Sequence, residues 1–405
     1  MAKLAIQGGN KTFTDGFTLA PYPTVYSATA QQLSDLYLNT RAWSYYGDYE
    51  KKFAADFSTY HDSKFGVLMV NGTVTLECSL AALGIGPGDE VIVPAYTWMA
   101  SAMAILYVGA TPVFVDCQAD TFCMDPAAFE AAITSSTRAV IPVHLFGSIA
   151  DIDRLCEIAQ KHGIVVIEDC AHAHGGKWDG KGVGSFGAIG SFSFQQSKIM
   201  TAGEGGLCTT SDEPLFEFLC RLKHIGNAQG SQQRQPTTPP PIGLVCHNYR
   251  ATEFQALILQ SQLEHLQQET ELREKGAAYL RQRFEALPGL KVQARGHKAT
   301  AQSYYVYAVK IDPAFLKPGI IRDDIIAALQ AEGVPEVFAG WGAPVYKHKL
   351  WNVDSAKYRV DSCAITEDII YHQVMLFSLM WLMAPRADQE KLCNTLEKVM
   401  KEYGK

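Results

Sequence analysis

The chain has 405 residues, 47% of them hydrophobic, and a net charge of −7. Because single domains usually hold roughly 100 to 250 residues, this length predicts two domains. The acidic balance and the lack of a dense basic run argue against nucleic acid as a partner. The amino terminus has no apolar signal stretch, and the apolar runs near 100–115 and 374–384 are shorter than the ~18 residues of a membrane span. We therefore expect a cytoplasmic protein that does not enter a membrane.

The ten cysteines and the pair His172 and His174 raise the question of disulfides or a metal site. No two cysteines have C-x-x-C spacing, and several, including Cys78 and Cys208, lie in apolar runs, which favours reduced and packed thiols. The H-x-H pattern occurs in some zinc sites, but no cysteine or carboxylate accompanies it at ligand spacing. We therefore predict no bound metal.

From about residue 64 onward, short β-branched runs alternate with longer amphipathic stretches. The runs KFGVLMV, DEVIVP, TPVFVD, RAVIPVH, GIVVIED and GSFSFQ predict strands, whereas TVTLECSLAALG, TWMASAMAILYVG and DIDRLCEIAQKHG predict helices. Continuous apolar strands separated by helices indicate an α/β fold with a mainly parallel sheet covered on both faces. In such sheets ligands bind at the carboxyl ends of the strands.

The second half of the chain has a different pattern. The polar, proline-rich stretch near 226–243 predicts an exposed loop, either a lid or a dimer arm. A long helical pattern follows from Ala251, and then strand-like YYVYAVKI and two more helical patterns. We predict a large domain over residues 1–265, with an N-terminal arm, and a smaller α+β C-terminal domain over residues 266–405.

The first chemical signal is a strand that ends at Asn71-Gly72-Thr73, where a helix begins at once. A helix amino terminus presents unpaired N–H groups and the positive end of the helix dipole, and glycine lets an anion approach the backbone closely. This pattern predicts a phosphate-binding site, called the phosphate seat below. The alternative is an ordinary threonine cap on the helix.

The second and third signals are Asp169 and Lys198. Asp169 ends the apolar strand GIVVIED, where it could cap a helix or hold a proton on a pyridine nitrogen. Lys198 follows the run SFSFQ and precedes the loop GEGG, a setting that can remove water from the amine, lower its pKa and favour Schiff-base chemistry. An exposed lysine without a role is the alternative, but an anion seat, an aspartate and a lysine at strand ends of one sheet favour a site.

The segments GTVTLECSLAALGIGPGDEVIVPAYTW, VIPVHLFG, VIEDCAHAHG, SFSFQQSKIMTAGEGG and NYRATEFQA, taken in this order, resemble the DegT/StrS-type aminotransferases, which are fold type I pyridoxal-phosphate (PLP) enzymes. The likeness spans nearly the whole chain. It implies that Lys198 forms the Schiff base with PLP, that Asp169 pairs with the pyridine nitrogen and that Trp98 stacks on the ring. The residues that match phosphate ligands are Gly72, Thr73, Ser193 and Asn248. Since Asn248 matches a ligand from the neighbouring subunit, a homodimer with shared sites is expected.

One departure from the family pattern is His172, which stands where most relatives have glutamine. A histidine can hydrogen-bond the ring hydroxyl of the cofactor, but it can also act as an acid or base at neutral pH. The sequence around it resembles two groups of enzymes. One is the 3-amino-5-hydroxybenzoate synthases, which dehydrate and aromatise their substrate, and the other is the glutamine-dependent cyclitol aminotransferases. Further candidates for substrate contact are Tyr45, Tyr46, His144, Arg250 and His372.

The resemblance implies an aminotransferase that moves an amino group from glutamate or glutamine to a keto-sugar or keto-cyclitol, with Lys198, Asp169 and His172 as catalytic residues. Two alternatives stay open. The first is a PLP-dependent dehydratase and aromatase, which His172 favours. The second is a cofactor-binding regulator without turnover, against which the presence of Lys198 counts.

Overall fold

A computed structural model describes residues 3–14, 17–44, 47–228, 239 and 244–405. In these ranges the strands are β1 (Phe65–Met69), β2 (Glu90–Pro94), β3 (Thr111–Val115), β4 (Thr137–Val140), β5 (Val165–Asp169), β6 (Lys177–Trp178), β7 (Lys181–Gly182), β8 (Ile189–Ser193), β9 (Gly206–Thr210), β10 (Leu290–Val292), β11 (Ala299–Ala301), β12 (Val306–Ile311), β13 (Val337–Phe338), β14 (Arg359–Val360) and β15 (Val374–Ser378). The α-helices are α1 (Ser27–Asp35), α2 (Tyr49–Tyr60), α3 (Gly72–Ala82), α4 (Ala100–Tyr107), α5 (Pro126–Ala132), α6 (Ile152–His162), α7 (Glu213–Lys223), α8 (Glu253–Glu285), α9 (Arg322–Ala331), α10 (Ala364–Asp368), α11 (Met380–Met383) and α12 (Arg386–Tyr403).

The central sheet has eight strands in the order β1-β9-β8-β5-β4-β2-β3-β14. Five of the seven neighbouring pairs are parallel, and the two antiparallel pairs both involve β9. The predicted α/β architecture with a mainly parallel sheet is confirmed. Because β1, β2, β5 and β8 run in one direction, their carboxyl ends lie along the same edge.

Helix α6 illustrates how the sequence fixes the layers around this sheet. Asp151 caps its amino terminus by accepting a hydrogen bond from the amide of Arg154, and Gly163 ends it in a left-handed conformation with φ of 66°. Its buried side chains recur at helical spacing and face the sheet, namely Ile152, Leu155, Ile158 and Ala159.

A second sheet of four antiparallel strands, in the order β10-β12-β15-β13, forms the centre of another hydrophobic core. Helix α8 contributes to both cores, with Leu259 and Leu266 in the first and Leu280 and Phe284 in the second. The predicted division between residues 265 and 266 therefore falls inside one continuous helix, and it stays a prediction. The second core also contains Leu4 and Phe13 from the start of the chain, and β14, from beyond residue 265, extends the central sheet.

Most of the loop near 226–243 lies outside the described residues, so its prediction as a lid or dimer arm does too. The ten cysteines are free thiols, and eight of them are buried, as expected for packed side chains. Across the part of the chain that the structure describes, no helix combines the length and hydropathy that crossing a bilayer requires.

Candidate active site

A cavity of about 530 Å³ lies at the carboxyl ends of β1, β2, β5 and β8. It is lined by residues that follow each of these strands and by two residues from the second half of the chain. Seven of the eight predicted site residues line it, namely Gly72, Thr73, Trp98, Asp169, His172, Ser193 and Lys198. The eighth, Asn248, does not.

The amino terminus of α3 forms one end of the cavity. The helix cap is Asn71, whose side chain accepts a hydrogen bond from the amide of Val74 at 2.9 Å, so Thr73 is not the cap. The first-turn N–H groups of Gly72 and Thr73 have no carbonyl partner within the helix. A Cβ on Gly72 would lie 2.6 Å from the Cβ of Ser193, which is too close for any real side chain. Glycine therefore lets the helix start and the Ser193 hydroxyl stand side by side, as an anion seat requires.

Asp169 is the last residue of β5 and its side chain is buried. The Ser101 hydroxyl donates a hydrogen bond to Oδ2 at 2.7 Å, and the Ala171 amide donates to Oδ1 at 3.1 Å. The carboxylate is thus oriented from both sides at a strand end, where it can hold a positive charge on a ligand in the cavity.

Lys198 is half-buried, and its backbone is fixed from two directions. Its amide donates to the carbonyl of Gln195 at 2.8 Å, and the Tyr22 hydroxyl donates to its carbonyl at 2.5 Å. Burial lowers the pKa of the Lys198 amine to about 8, although the negative charge of Asp169 acts in the opposite direction. More of the amine is therefore neutral at physiological pH than in an exposed lysine, which suits a nucleophile.

His172 lies against the ring of Tyr305, with ring centroids 4.1 Å apart and planes 8° from parallel. Burial, followed by the nearby Lys198 and His174, holds its pKa well below 6.5. The amide of Phe146 donates to Nδ1 at 3.4 Å, so the proton of the neutral ring is on Nε2. His172 is therefore a neutral hydrogen-bond donor, as a glutamine amide would be at this position.

His174 points to a different partner, since its Nε2 lies 2.9 Å from the carbonyl oxygen of Ser193, and it does not line the cavity. Among the described residues, one set of potential metal ligands converges, namely His144, Glu168 and Cys170. The Glu168 carboxylate already pairs with His144 at 3.2 Å and accepts backbone N–H bonds from Gly184, Phe186 and Gly187. These contacts satisfy a buried carboxylate without an ion.

Two cavity residues, Tyr305 and Trp341, did not stand out in the sequence as site residues. Trp341 lies between Gly340 and Gly342, which have φ of 79° and 81°, and its ring centroid is 5.8 Å from that of Trp98. A tryptophan between two glycines was the available signal for a loop that turns an aromatic ring toward a site. Tyr305 directly precedes β12. The alternation of side chains along a strand shows which residues share a face, but it does not show which residues from the rest of the chain pack against that face.

The other candidates for substrate contact are not in the cavity. His144 is buried beside Glu168, Arg250 lies against His224, and His372 is exposed. Tyr45 and Tyr46 lie outside the described residues.

Comparison with known proteins decides the family. Residues 27–397 match the model of the DegT/DnrJ/EryC1/StrS aminotransferase family. The chain belongs to this family. It is 39% identical to the L-glutamine:2-deoxy-scyllo-inosose aminotransferase of Streptomyces kanamyceticus, over 82% of this chain and 78% of that one. It is 34% identical to the protein of the same name from Streptoalloteichus tenebrarius, over 99% and 98% of the two chains.

Among solved structures, 3-amino-5-hydroxybenzoic acid synthase matches this DegT-family chain with a TM-score of 0.85 and 29% identity, over 95% of this chain and 99% of that one. An aminotransferase from Psychrobacter cryohalolentis matches with a TM-score of 0.86 and 30% identity over the same shares. The predictions of a fold type I aminotransferase that uses PLP are confirmed, and the interpretation as a regulator without turnover is not supported.

The residues of this DegT-family cavity fit PLP. The glycine start of α3 next to Ser193 leaves the space that a side chain would fill, which suits a phosphate. Asp169 offers an oriented carboxylate, and Lys198 offers an amine with a lowered pKa, in the same cavity. Each of the three groups that the cofactor requires is thus present.

Proposed function

We propose that this chain transfers the amino group of L-glutamine to a keto-cyclitol, with Lys198 as the lysine that forms the Schiff base with PLP. The observation that carries the proposal is the half-buried Lys198 amine, whose pKa is lowered to about 8 in a cavity that also holds Asp169 and the start of α3. Relatives that are 34–39% identical are named for L-glutamine and 2-deoxy-scyllo-inosose, which supports this donor and this class of acceptor.

When bound, PLP supplies a reactive carbonyl carbon and a ring that accepts electrons. In our proposal Gly72, Thr73 and Ser193 bind its phosphate, and Asp169 keeps the ring nitrogen protonated. Trp98 would contact the ring, and His172 would donate a hydrogen bond from Nε2 to the ring hydroxyl.

Lys198 moves the protons of the reaction. In the first half-reaction its neutral amine accepts the proton from the Cα of the amino donor and would pass it to the cofactor carbon, so the amine is neutral again. In the second half-reaction the amine would take that proton back and, as the ammonium, give it to the carbon of the acceptor that becomes the amine-bearing carbon. A pKa of about 8 suits both directions, because neither the neutral nor the protonated form is strongly disfavoured near neutral pH.

The second candidate is an aromatising dehydratase, which the likeness to 3-amino-5-hydroxybenzoic acid synthase favours. An added dehydration requires a further acid or base. His172 was the residue expected to supply it, but its imidazole is neutral and its Nδ1 accepts a hydrogen bond from Phe146. We therefore prefer transamination without loss of water.

We also propose that the protein works as a cytoplasmic homodimer in which Asn248 reaches the phosphate in the neighbouring subunit. Asn248 does not line the cavity of its own chain, and its backbone forms a bridge with His224. Trp98 is 40% exposed in the single chain, so one side of the cavity is open to a partner.

The test is an assay of the purified holoenzyme with L-glutamine and either scyllo-inosose or 2-deoxy-scyllo-inosose, with products identified by mass spectrometry. We expect an amine formed without loss of water, and a lower rate when L-glutamate replaces L-glutamine. A new aromatic absorbance from an aminodehydroshikimate-type substrate, with no amination of either inosose, would contradict the proposal and support the dehydratase.

A further inference from the structure

Tyr305 contacts two titratable side chains of the cavity, Lys198 and His172. The Nζ atom of Lys198 lies 4.7 Å from the centroid of its ring. The imidazole of His172 is stacked on the same ring at 4.1 Å. An ammonium at this distance from an aromatic face is attracted by the negative charge of the π-electrons.

Two hydrogen bonds hold Tyr305 in place, one at its phenol and one at its backbone. The phenol shares a 2.9 Å hydrogen bond with the hydroxyl of Ser197. The amide of Tyr305 donates to the carbonyl of Phe146 at 3.0 Å. The backbone bond ties the start of β12 to the loop that follows β4, and the phenol bond ties the ring to the loop that follows β8.

Where the loop after β4 meets the start of β12, the backbone of both segments has a strained conformation. Phe146 has φ of 60° and Tyr304 has φ of 54°, in the left-handed region that bulky residues rarely adopt. Gly147 packs so closely that a Cβ there would lie 2.5 Å from the amide nitrogen of Tyr304. Backbone strain of this kind persists only where the contacts of the surrounding structure stabilise the strained conformation, and strained residues are common at functional sites.

The groups near the Lys198 amine are two carboxylates and several uncharged rings, one of which is that of Tyr305. Asp169 is the carboxylate that raises its pKa, and Glu204 lines the same cavity. His172 and His174 are both neutral, because burial holds their pKa values well below 6.5. Burial also raises the pKa of the Tyr305 phenol, so the residue presents its π face and not a phenolate charge.

We propose that Tyr305 is a positioning residue that holds the protonated amine of Lys198 against its ring face whenever that amine is free. This inference rests on the proposed role of Lys198. A lysine that must return a proton to the acceptor gains from a second contact that favours the protonated form and keeps its four-carbon chain from turning into solvent. Tyr305 acts through Lys198 and carries no proton itself.

The test measures the pKa of Lys198 in the full-length chain, after hydroxylamine has released PLP from the lysine and dialysis has removed it. Brief acetylation at a series of pH values, read on the Lys198 peptide by mass spectrometry, gives the midpoint at which the amine becomes reactive. We expect a midpoint of about 8 in the wild type. In Tyr305→Leu, which keeps an apolar side chain but lacks a π face, we expect the midpoint to fall by about half a pH unit.

Two variants serve as matched controls. Tyr305→Phe keeps the ring and Ser197→Ala removes only the partner of the phenol. Because the ring still stacks on His172 and the Phe146 carbonyl still holds its backbone, we expect both midpoints to stay near that of the wild type. Folding is checked by thermal denaturation, and Tyr305→Met replaces the leucine variant if that one does not fold. An unchanged or raised midpoint in a folded leucine or methionine variant would overturn the inference.

This outcome is distinguishable from a failure of the proposed function. If the midpoints move as expected but neither inosose is aminated, then the substrate assignment is wrong and the role of Tyr305 stands. If the inososes are aminated but the midpoints do not move, then Tyr305 is only a packing residue.

Discussion

The two sides of the cavity differ in how they are built. The sheet side, formed by residues 71–73, Asp169, Ser193 and Lys198, lies at the carboxyl ends of strands in one sheet. The cap side, formed by Tyr305 and Trp341, comes from a part of the chain more than a hundred residues later. In our proposal the sheet side supplies the groups that bind PLP and react with it, whereas the cap side supplies aromatic surface that limits where those groups can move.

This difference indicates a division of labour that can be tested. Changes on the sheet side should abolish turnover or cofactor binding, because we propose a distinct chemical role for each group there. Changes on the cap side, or at His172 where the two sides meet, should alter pKa values and positions by smaller amounts.

The largest effect is expected for Asp169→Asn. The amide can still accept a hydrogen bond from Ser101, but it has no charge to hold the ring nitrogen in its protonated form. We expect the amination rate to fall about a hundredfold or more, with the protein still folded. Ser101→Ala is the matched control, since it removes a donor and keeps the carboxylate. Equal losses in both variants would contradict the importance of the charge.

A smaller effect is expected for Gly72→Ala. The added Cβ would meet the Cβ of Ser193 at 2.6 Å, so the start of α3 must shift away from the phosphate seat. We expect affinity for PLP, measured by fluorescence titration, to fall about tenfold or more. Gly86→Ala is the control, because the nearest atom to its added Cβ is 3.7 Å away. Unchanged affinity in Gly72→Ala would place the phosphate elsewhere.

The smallest effect is expected for His172→Gln. Since His172 is neutral and donates through Nε2, a glutamine amide can take over its hydrogen bond. We expect the amination rate to stay within about threefold of the wild type and its pH profile to keep its shape. If His172 were a general acid or base, the rate would instead fall about a hundredfold or more.

The sheet side could be predicted from the sequence because its signals are local. Apolar runs that end in Asp169 or precede Lys198 identify strand ends, and parallel strands bring their carboxyl ends to one edge. The residue that caps the amino terminus of α3 was harder to assign, because Asn71 and Thr73 are both good capping residues. Only the folded structure shows that the Asn71 side chain accepts the capping hydrogen bond.

The cap side could not be predicted in the same way. Alternation along β12 tells which residues share a face, but it does not say that Tyr305 meets Lys198 across more than a hundred residues of sequence. The protonation of His172 was equally hidden, because it depends on burial and on the amide of Phe146. Long-range packing determines both, and a pattern in one segment contains no information about it.

The central claim is that Lys198 is the residue that bonds PLP. It is tested most directly by reducing the holoenzyme with borohydride, digesting it and locating the pyridoxyl group by mass spectrometry. We predict that the group is on Lys198 and that adding L-glutamine before the reductant lowers its yield, because the amino donor frees the lysine. A pyridoxyl group on another lysine, or none on a chain that binds PLP, would contradict the account.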